Sequence, residues 1–306
     1  MAIAFVTTID ERVLHDDVDL PLQRTAFADA GLELVLAAWE DESIDWDSFD
    51  LVIVRSPWNY VDRLEEFRAW LDARRESTRF HNPVALIEWN MDKRYLADLA
   101  RRDVAVVPTV FVETLEEFET ARSTVGTSEL VVKPTVSAGS RLTGRFECAD
   151  PAAAELVGDI LAKHLMVMVQ PFASRIDDEG EIGTVVFDGV RSHSFRKAAL
   201  LAEGGSLVGG DYREEITTAV APDDVLAVVE AALVAVTEIS REREWIGTKD
   251  ELLYGRFDVV RLDDGTPALL EAELFEPCFF LPTDSGAANR FVDAVIRRIG
   301  VSSTKD

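Results

Sequence analysis

The sequence predicts a multidomain protein of the α/β and α+β classes, and three observations support this prediction. The chain has 306 residues, which is long enough for two or three domains with large cores. Short apolar runs alternate with helical patterns near the N-terminus, which is typical of β-α-β units. Farther along, alternating runs come in pairs separated by turn residues, which indicates antiparallel hairpins combined with helices.

The overall charge argues against two classes of partner. The net charge is -26 at pH 7, and so negative a surface repels nucleic acids and anionic membranes. No apolar stretch is long enough to span a membrane, and the N-terminus lacks a secretory signal pattern. Cys148 and Cys278 form neither a disulfide framework nor a metal-binding pattern. We therefore expect a cytoplasmic protein that binds neither nucleic acid nor membrane.

The N-terminal quarter predicts an open α/β unit. The predicted strands are residues 2–7, 32–38 and 51–54, and the predicted helices are residues 20–30 and 62–75. Arg55, Trp58 and Tyr60 follow the third strand, at the edge of the sheet where ligands of α/β proteins bind. An arginine with aromatic neighbours can hold a carboxylate while stacking on a small polar substrate. A proline turn with packed aromatic side chains is the open alternative.

The next segment predicts helices and short strands. Asn90 is expected to cap a helix over residues 91–102, and Lys93 in its first turn opposes the helix dipole, which suggests a role such as phosphate binding. Short strands are predicted at residues 104–107 and 108–111. Thr114 and Glu117 form a capping box for the following helix.

A loop of small residues follows a buried strand that ends in Lys133. The loop contains Ser137, Ala138, Gly139 and Ser140. Such a loop can fold over a triphosphate with its backbone N–H groups and hydroxyls, while Lys133 supplies charge. It is not a Walker A loop, because no Gly-Lys-Ser/Thr follows and no helix begins there. A flexible hairpin without a ligand is the alternative.

Later elements include a second hairpin and a glycine-rich segment. Residues 181–187 and 191–197 predict a hairpin with Glu181 and Lys197 at its ends. Residues 202–213 contain four glycines and no periodicity, which suits a lid over a site. The remaining elements are predicted as a strand at residues 165–169 and helices at residues 151–164, 222–241 and 284–299.

The hairpin around residues 263–265 gathers acidic side chains. Glu271 and Glu273 share one face of the returning strand, and the register can bring Asp258 opposite them. At about 4 Å and an effective dielectric constant of about 20, each like-charge pair costs roughly 4 kcal/mol. A divalent metal would relieve this repulsion, and oxygen ligands favour Mg²⁺ or Mn²⁺. An acidic hairpin facing solvent is the alternative.

The order of these motifs resembles that of the ATP-grasp ligases over most of the chain. The motifs are Asp92-Lys93, Val132-Lys133-Pro134, the loop of residues 137–140, Gln170-Pro171-Phe172, Gly180-Glu181, Lys197, residues 210–213, Arg256-Phe257-Asp258 and residues 270–273. The resemblance implies the ATP-grasp fold, in which an N-terminal open α/β domain precedes two αβ subdomains that clamp ATP. The implied domains are residues 1–90, 91–168 and 169–306.

The resemblance also implies site roles. Lys93, Lys133 and Lys197 contact ATP phosphates beneath the loop of Ser137, Ala138, Gly139 and Ser140. Gln170, Pro171 and Phe172 border adenine, and Glu181 holds the ribose. Arg256, Lys197 and Arg213 serve catalysis, and Asp258, Glu271 and Glu273 bind Mg²⁺ or Mn²⁺, as two ions. Arg55, Trp58, Tyr60, Arg213 and Glu276 contact the substrate. Many family members carry Asn at the position of Glu273, so this residue departs from the pattern.

Within the family, residues 55–60, 89–93 and 271–277 are similar to the cyclo-ligases that form cycloserine from O-ureido-serine. The implied activity is ATP-dependent joining of a carboxylate to a nitrogen through an acylphosphate, on an amino-acid-like small molecule. A glutathione-synthetase or peptide-type ligase, a nucleotide-binding regulator without turnover, and an acidic scaffold protein are the alternatives. A homodimer or a homotetramer is left open.

Overall fold

A computed structural model gives the structure of residues 1–77, 79–201, 206–207 and 215–302. The N-terminal part is a three-stranded parallel sheet in which β1 (Ala2–Thr7) lies between β2 (Glu33–Ala38) and β3 (Leu51–Val54). Its helices are α1 (Glu11–Asp16), α2 (Leu20–Asp29), α3 (Leu64–Asp72) and α4 (Val84–Met91). The predicted β-α-β order is therefore confirmed.

The second sheet is antiparallel and lies in the middle of the chain. Its strands are β4 (Val110–Val112), β5 (Glu129–Pro134), β6 (Thr143–Glu147), β7 (Val167–Pro171) and β10 (Ser206–Leu207), in the order β10-β6-β5-β7-β4. The helices of this part are α5 (Tyr95–Ala100), α6 (Leu115–Thr124) and α7 (Pro151–Ala162). The Thr114 side chain accepts a hydrogen bond from the backbone N–H of Glu117, as the capping box predicts.

The third sheet carries the acidic hairpin. Its strands are β8 (Glu181–Phe187), β9 (Val190–Lys197), β11 (Ile216–Ala219), β12 (Tyr254–Arg261) and β13 (Pro267–Glu273), in the order β11-β9-β8-β12-β13. Its helices are α8 (Ile176–Glu179), α9 (Asp223–Glu242) and α10 (Ala287–Ser302). Both predicted hairpins are confirmed.

The helix predicted at residues 91–102 forms only over residues 95–100, so its predicted start is wrong. α4 continues through Asn90 to Met91, and a separate helix, α5, begins at Tyr95. Asn90 therefore does not cap a helix, because its buried side chain bonds the backbone of β13 instead. No strand forms at residues 104–107, where Val106 makes only an isolated bridge to Leu269.

Packing joins the three parts around separate apolar cores. Phe5 and Phe27 of the N-terminal sheet and its helix α2 pack with Phe291 of α10, so the first and last elements share one core. The predicted boundary at residue 168 falls inside β7, and the three-domain division stays a prediction. Among the described helices, none has the length and apolar character that crossing a membrane requires.

Candidate active site

A cavity of about 1480 Å³ is lined by residues from all three parts of the chain. Most of the predicted site residues lie on its wall. These are Trp58, Tyr60, Lys93, Lys133, Ser137, Ala138, Gly139, Ser140, Gln170, Pro171, Phe172, Glu181, Lys197, Arg256, Glu271, Glu273 and Glu276. The fold thus brings together motifs that are more than 200 residues apart in sequence.

The acidic hairpin has the predicted register. Asp258 of β12 stands opposite Glu271 of β13, and Arg256 stands opposite Glu273. A register shift follows Asp258, so the pairing changes just beyond the acidic residues. Because side chains alternate along a strand, the two glutamates share one face and Ala272 between them faces the core.

Each of the three carboxylates is paired with a cation from the same site. Lys197 Nζ lies 2.7 Å from Asp258 Oδ2, and Lys93 Nζ lies 3.2 Å from Glu271 Oε1. Arg256 contacts both Asp258, at 3.0 Å, and Glu273. The repulsion expected from the sequence is therefore offset by two lysines and an arginine.

The donor chemistry suits Mg²⁺ or Mn²⁺, although the three acids do not converge. Asp258, Glu271 and Glu273 offer only carboxylate oxygens, which are the ligands these cations prefer. Within the described residues, no group of three or more acidic, histidine or cysteine side chains lies close enough to form a metal site. The carboxylates are instead directed toward Lys93, Lys197 and Arg256. A metal therefore fits the donor set after these ion pairs exchange partners.

The pKa values of the three acids shift in different directions, because burial and neighbouring charges act on each acid to a different extent. Burial opposes ionisation of Asp258, but Arg256 and Lys197 outweigh it and hold the pKa of this carboxyl below its usual value. The pKa of Glu271 is likewise lowered, because Lys93 and Lys133 outweigh burial. For Glu273, burial dominates over Arg256 and raises the pKa to about 7.

Lys133 differs from the other two lysines of the cavity. Lys93 and Lys197 form ion pairs, whereas Lys133 has no carboxylate in ion-pair contact within the described chain. Its side chain is buried at the end of β5, and burial lowers the pKa of its ammonium group. An unmatched buried cation beside a cavity is suited to an anionic ligand.

The small-residue loop and the residues just before it accept hydrogen bonds from Lys93. Lys93 donates from its backbone N–H to the Thr135 carbonyl at 2.8 Å and from Nζ to the Ser137 carbonyl at 3.0 Å. Gly139 and Ser140 adopt positive φ angles of 60° and 51°, so the chain reverses over the cavity. The loop therefore stands next to the lysine cluster, as the sequence predicts.

The cavity lining also includes the apolar side chains of Val107, Val131, Ile176, Val260 and Leu270. Apolar walls of this kind suit a planar heterocyclic base. Gln170 belongs to the same lining, and its side-chain amide donates to Thr109 Oγ1 at 2.8 Å.

Arg145 packs against Phe172 of the cavity lining, and the sequence analysis did not single it out. Its guanidinium lies 3.5 Å from the ring centroid of Phe172 and forms two hydrogen bonds with Glu129, at 2.7 and 2.9 Å. It also contacts Asp177 at 2.9 Å, which links the second sheet to α8. The sequence offered only a weak signal, an arginine between Gly144 and Phe146, and the structure shows that this arginine is buried in β6.

Glu276 forms a polar corner of the cavity together with two aromatic residues. Tyr60 donates its hydroxyl to Glu276 Oε1 at 2.6 Å, and Trp58 Nε1 donates to the Glu276 carbonyl at 3.0 Å. The second carboxyl oxygen, Oε2, is buried and has no hydrogen-bond partner in the part of the chain that the structure describes. Burial raises the pKa of Glu276 well above its usual value.

The structure does not bring Arg55 to the cavity wall, so its predicted contact with a substrate carboxylate is not supported. Arg55 is 1% exposed and lies 3.7 Å from the ring centroid of Phe279. It donates to the Pro277 carbonyl at 2.8 Å, and its second terminal nitrogen lies 3.5 Å from Asp19. Arg55 therefore holds the chain that carries Glu276 rather than lining the cavity.

Asp19 is a second residue that the sequence did not indicate. Its carboxylate accepts hydrogen bonds from the backbone N–H groups of Phe279 and Leu281. Asp19 directly precedes α2 and lies two residues before Pro21, a position that suggests an ordinary helix cap, so the long-range contact left no local signal. Arg213, predicted to serve catalysis and substrate binding, lies outside the described residues, as does most of the predicted lid.

The fold has counterparts among solved structures. The RimK-domain ATP-grasp protein from Sphaerobacter thermophilus superposes with a TM-score of 0.66 at 18% identity, covering 97% of this chain and 100% of that protein. The shared fold is the ATP-grasp fold, and in this chain cationic, acidic and apolar side chains line one cavity within it. The predicted fold class is confirmed.

Proteins of higher sequence identity show to which family of ATP-grasp proteins the chain belongs. Residues 3–82 match the family model of the N-terminal domain of D-cycloserine synthetase DcsG. The cycloserine biosynthesis protein DcsG of Streptomyces lavendulae is 35% identical over 308 residues, covering 97% of this chain and 98% of that protein. The crystal structure of D-cycloserine synthetase DcsG superposes with a TM-score of 0.86 at 34% identity, covering 98% of this chain and 100% of that structure. The chain belongs to the DcsG family of ATP-grasp ligases. It is an ATP-dependent enzyme that forms carbon–nitrogen bonds.

Proposed function

We propose that this enzyme activates the carboxylate of an amino-acid-like small molecule as an acylphosphate and closes it onto a nitrogen of the same molecule, as in forming cycloserine from O-ureido-serine. The observation that carries the proposal is one cavity that combines a lysine and arginine cluster with the polar corner of Trp58, Tyr60 and Glu276. The 35% identity to a cycloserine biosynthesis protein supports the substrate class.

In this proposal, the phosphates of ATP lie against Lys93, Lys133 and Lys197 beneath the loop of residues 137–140. The unmatched charge of Lys133 supports this orientation of the nucleotide. Arg256 stabilises charge on the transferring phosphoryl group, and Arg213 assists on the strength of the family resemblance alone. Phosphoryl transfer depends mainly on positioning and charge, so no nucleophilic side chain is required.

Adenine lies against the apolar residues of the cavity lining, beside Gln170, Pro171 and Phe172. Glu181 holds the ribose. Mg²⁺ or Mn²⁺, as two ions, would be held by Asp258 and Glu271, with Glu273 as a further ligand. The metal supplies charge neutralisation between the carboxylates and the phosphates. Lys93, Lys197 and Arg256 would then exchange their carboxylate partners for phosphate oxygens.

The polar corner orients the substrate. Glu276 Oε2 is buried and has no partner among the described residues, so a polar group of the amino-acid substrate can form a hydrogen bond with it. Trp58 and Tyr60 form the neighbouring wall. The substrate carboxylate attacks the γ-phosphorus and ADP leaves. The substrate nitrogen then attacks the acyl carbon, the carbon–oxygen bond to phosphate breaks, and the nitrogen loses a proton as phosphate departs. In O-ureido-serine this nitrogen also carries a carbamoyl group, and hydrolysis by one water releases that group as carbon dioxide and ammonia to give cycloserine.

A substrate screen tests the proposal. Purified enzyme with Mg-ATP is assayed for ADP release with O-ureido-serine, single amino acids and pairs of amino acids, and products are identified by mass spectrometry. We expect ADP and a cyclic product with O-ureido-serine alone, dependent on Mg²⁺. Lys133→Ala serves as a site variant and should lower the rate at limiting ATP.

Other outcomes identify the alternatives. Turnover only with two amino acids would replace the cyclo-ligase proposal with a peptide-type ligase. ATP binding without turnover across the whole panel would contradict catalysis and favour a nucleotide-binding regulator. Absence of any Mg-ATP-dependent thermal shift would contradict the nucleotide site itself.

A further inference from the structure

The outer edge of β13, the strand that carries two of the proposed metal ligands, is covered by other parts of the chain. β13 is the last strand of its sheet. Along its first half, Leu269 exchanges backbone hydrogen bonds with residues 105–107, at 2.8 and 2.9 Å. Along its second half, in the described structure, side chains take the place of a strand.

Asn90 and Tyr95 provide these side-chain contacts. Asn90 donates from Nδ2 to the Ala272 carbonyl at 2.8 Å, and its Oδ1 accepts from the backbone N–H of Leu274 at 2.8 Å. The Tyr95 hydroxyl accepts from the backbone N–H of Ala272 at 2.8 Å. Both side chains are buried, so water does not compete for these backbone groups.

The residue held in this way lies between two proposed metal ligands. Ala272 is 1% exposed and stands between Glu271 and Glu273. Both of its backbone polar groups are fixed by α4 and α5 rather than by a strand. The strand segment that carries the two glutamates is therefore held by β12 on its inner side and by Asn90 and Tyr95 on its outer side.

The same short segment also delivers a cation to the site. Lys93 lies between Asn90 and Tyr95, and its Nζ is 3.2 Å from Glu271 Oε1. Its backbone N–H donates to the Thr135 carbonyl at 2.8 Å, at the start of the small-residue loop. Residues 90–95 thus connect three parts of the site: the acidic strand, the cation and the loop.

We propose that Asn90 and Tyr95 are positioning residues that hold Glu271 and Glu273 in register with Lys93, and thereby set the affinity of the site for its divalent cation. This inference rests on the proposed metal-binding role of the hairpin. Side chains that orient metal ligands typically change metal affinity or activity by about 10- to 100-fold when they are lost.

Tyr95→Phe is the main test, because it removes one hydroxyl and keeps the ring in the core. The loss leaves the Ala272 N–H without its acceptor. The matched control is Ser240→Ala, which removes one buried hydroxyl whose bond to the Val236 carbonyl, 2.8 Å long, lies within α9. Asn90→Asp is a second variant, because it keeps the acceptor for Leu274 and loses the donor to Ala272.

The measurement is Mn²⁺ binding to the enzyme–ADP complex by electron paramagnetic resonance, with ADP affinity measured separately in EDTA. We expect the Mn²⁺ dissociation constant to rise about tenfold in Tyr95→Phe and in Asn90→Asp, and to stay at the parental value in Ser240→Ala. Metal-free ADP affinity should change less than twofold. Excess Mg²⁺ should restore turnover in Tyr95→Phe.

A parental Mn²⁺ dissociation constant in a folded Tyr95→Phe variant would overturn the inference. An equal loss in Ser240→Ala would also overturn it, because general destabilisation would then explain the effect. This test is independent of the test of the proposed function. An enzyme that is inactive on every substrate would refute the proposed reaction. The Mn²⁺ dissociation constants would still show whether Asn90 and Tyr95 position the metal ligands.

Discussion

Lys133 illustrates how a binding residue can weaken the protein that carries it. Its ammonium group is buried without an ion-pair partner in the described chain, and burial lowers its pKa. A charged group in this position costs stability, because the folded protein removes it from water without full compensation. The cost is offset only when an anion binds.

Lys133→Met should therefore change stability and ATP binding in opposite directions. We expect a higher melting temperature without nucleotide, because the buried charge is gone. A charge-assisted contact is worth about 1.5 to 3 kcal/mol, so the dissociation constant for ATP should rise roughly ten- to a hundredfold. Calorimetry measures both quantities. Lys163→Met, at an exposed position after α7, should change neither, and parental ATP affinity in Lys133→Met would refute the assignment.

Glu273 gives a prediction about pH. Burial raises its pKa to about 7 in the folded protein, whereas an unfolded glutamate titrates near about 4.3. Between these values the folded state keeps a proton that the unfolded state has lost. Its contribution to stability therefore falls as pH rises from about 4.5 to about 7, and stays constant above that range.

Glu273→Gln should remove this pH dependence in metal-free protein. Relative to the parent, the variant should gain about 1 to 3 kcal/mol of unfolding free energy as pH rises from 5 to 8. Urea unfolding in EDTA at several pH values measures the difference. A difference between parent and variant that stays constant with pH would show that Glu273 titrates normally.

At the scale of elements, the segment after β13 is held from the N-terminal part of the chain. Asp19 accepts two of its backbone N–H groups, and Arg55 donates to the Pro277 carbonyl at 2.8 Å. The same segment offers the Cys278 carbonyl to Arg256 at 2.9 Å. The N-terminal unit thus acts on the site by holding this segment.

Asp19→Asn should reduce both stability and turnover. Removing one member of a buried ion pair leaves Arg55 uncompensated and costs about 3 to 5 kcal/mol. We expect a lower melting temperature and a lower kcat, because Glu276 and Arg256 lose their support, with ATP affinity nearly constant. The matched control is Asp17→Asn, whose carboxylate bonds only the start of α2 among its described contacts. Equal kcat in the two variants would contradict this role.

Local patterns predicted the elements, whereas long-range contacts decided the exceptions. β1, β3 and β8 have the predicted bounds, because an apolar or alternating run is a strong local signal for a strand. At the break between α4 and α5 the structure shows a bond from Asn90 to Ala272, 182 residues away. No periodicity within residues 84–102 carries that information.

The candidate site was predictable to a similar extent. The sequence indicated that the hairpin could bring Asp258 opposite the glutamates, but the turn does not determine the pairing by itself. A register shift after Asp258 places it opposite Glu271 rather than Leu270. The burial of Arg55 was not predictable, because it depends on Asp19 and Phe279, which come from distant parts of the chain. Pairing of each acid with a lysine or arginine likewise appears only when the three sheets are assembled.

For the whole molecule, the ion pairs of the cavity predict coupled binding of metal and nucleotide. Mg²⁺ alone would take carboxylate partners away from Lys93, Lys197 and Arg256, and ATP alone would take cationic partners away from the acids. Mg-ATP satisfies both sets at once. We therefore expect the thermal shift with Mg-ATP to exceed the sum of the shifts with Mg²⁺ and with ATP in EDTA. Additive shifts would show that the two sites are independent.

The covered edge of β13 has a consequence for the protein in concentrated solution. An uncovered strand edge presents unpaired N–H and C=O groups to any other extended chain and is a common starting point of aggregation. Here Asn90, Tyr95 and residues 105–107 occupy that edge. Variants that loosen this cover should lose solubility together with metal affinity, so selection for a soluble enzyme and for a metal-binding one acts on the same few contacts.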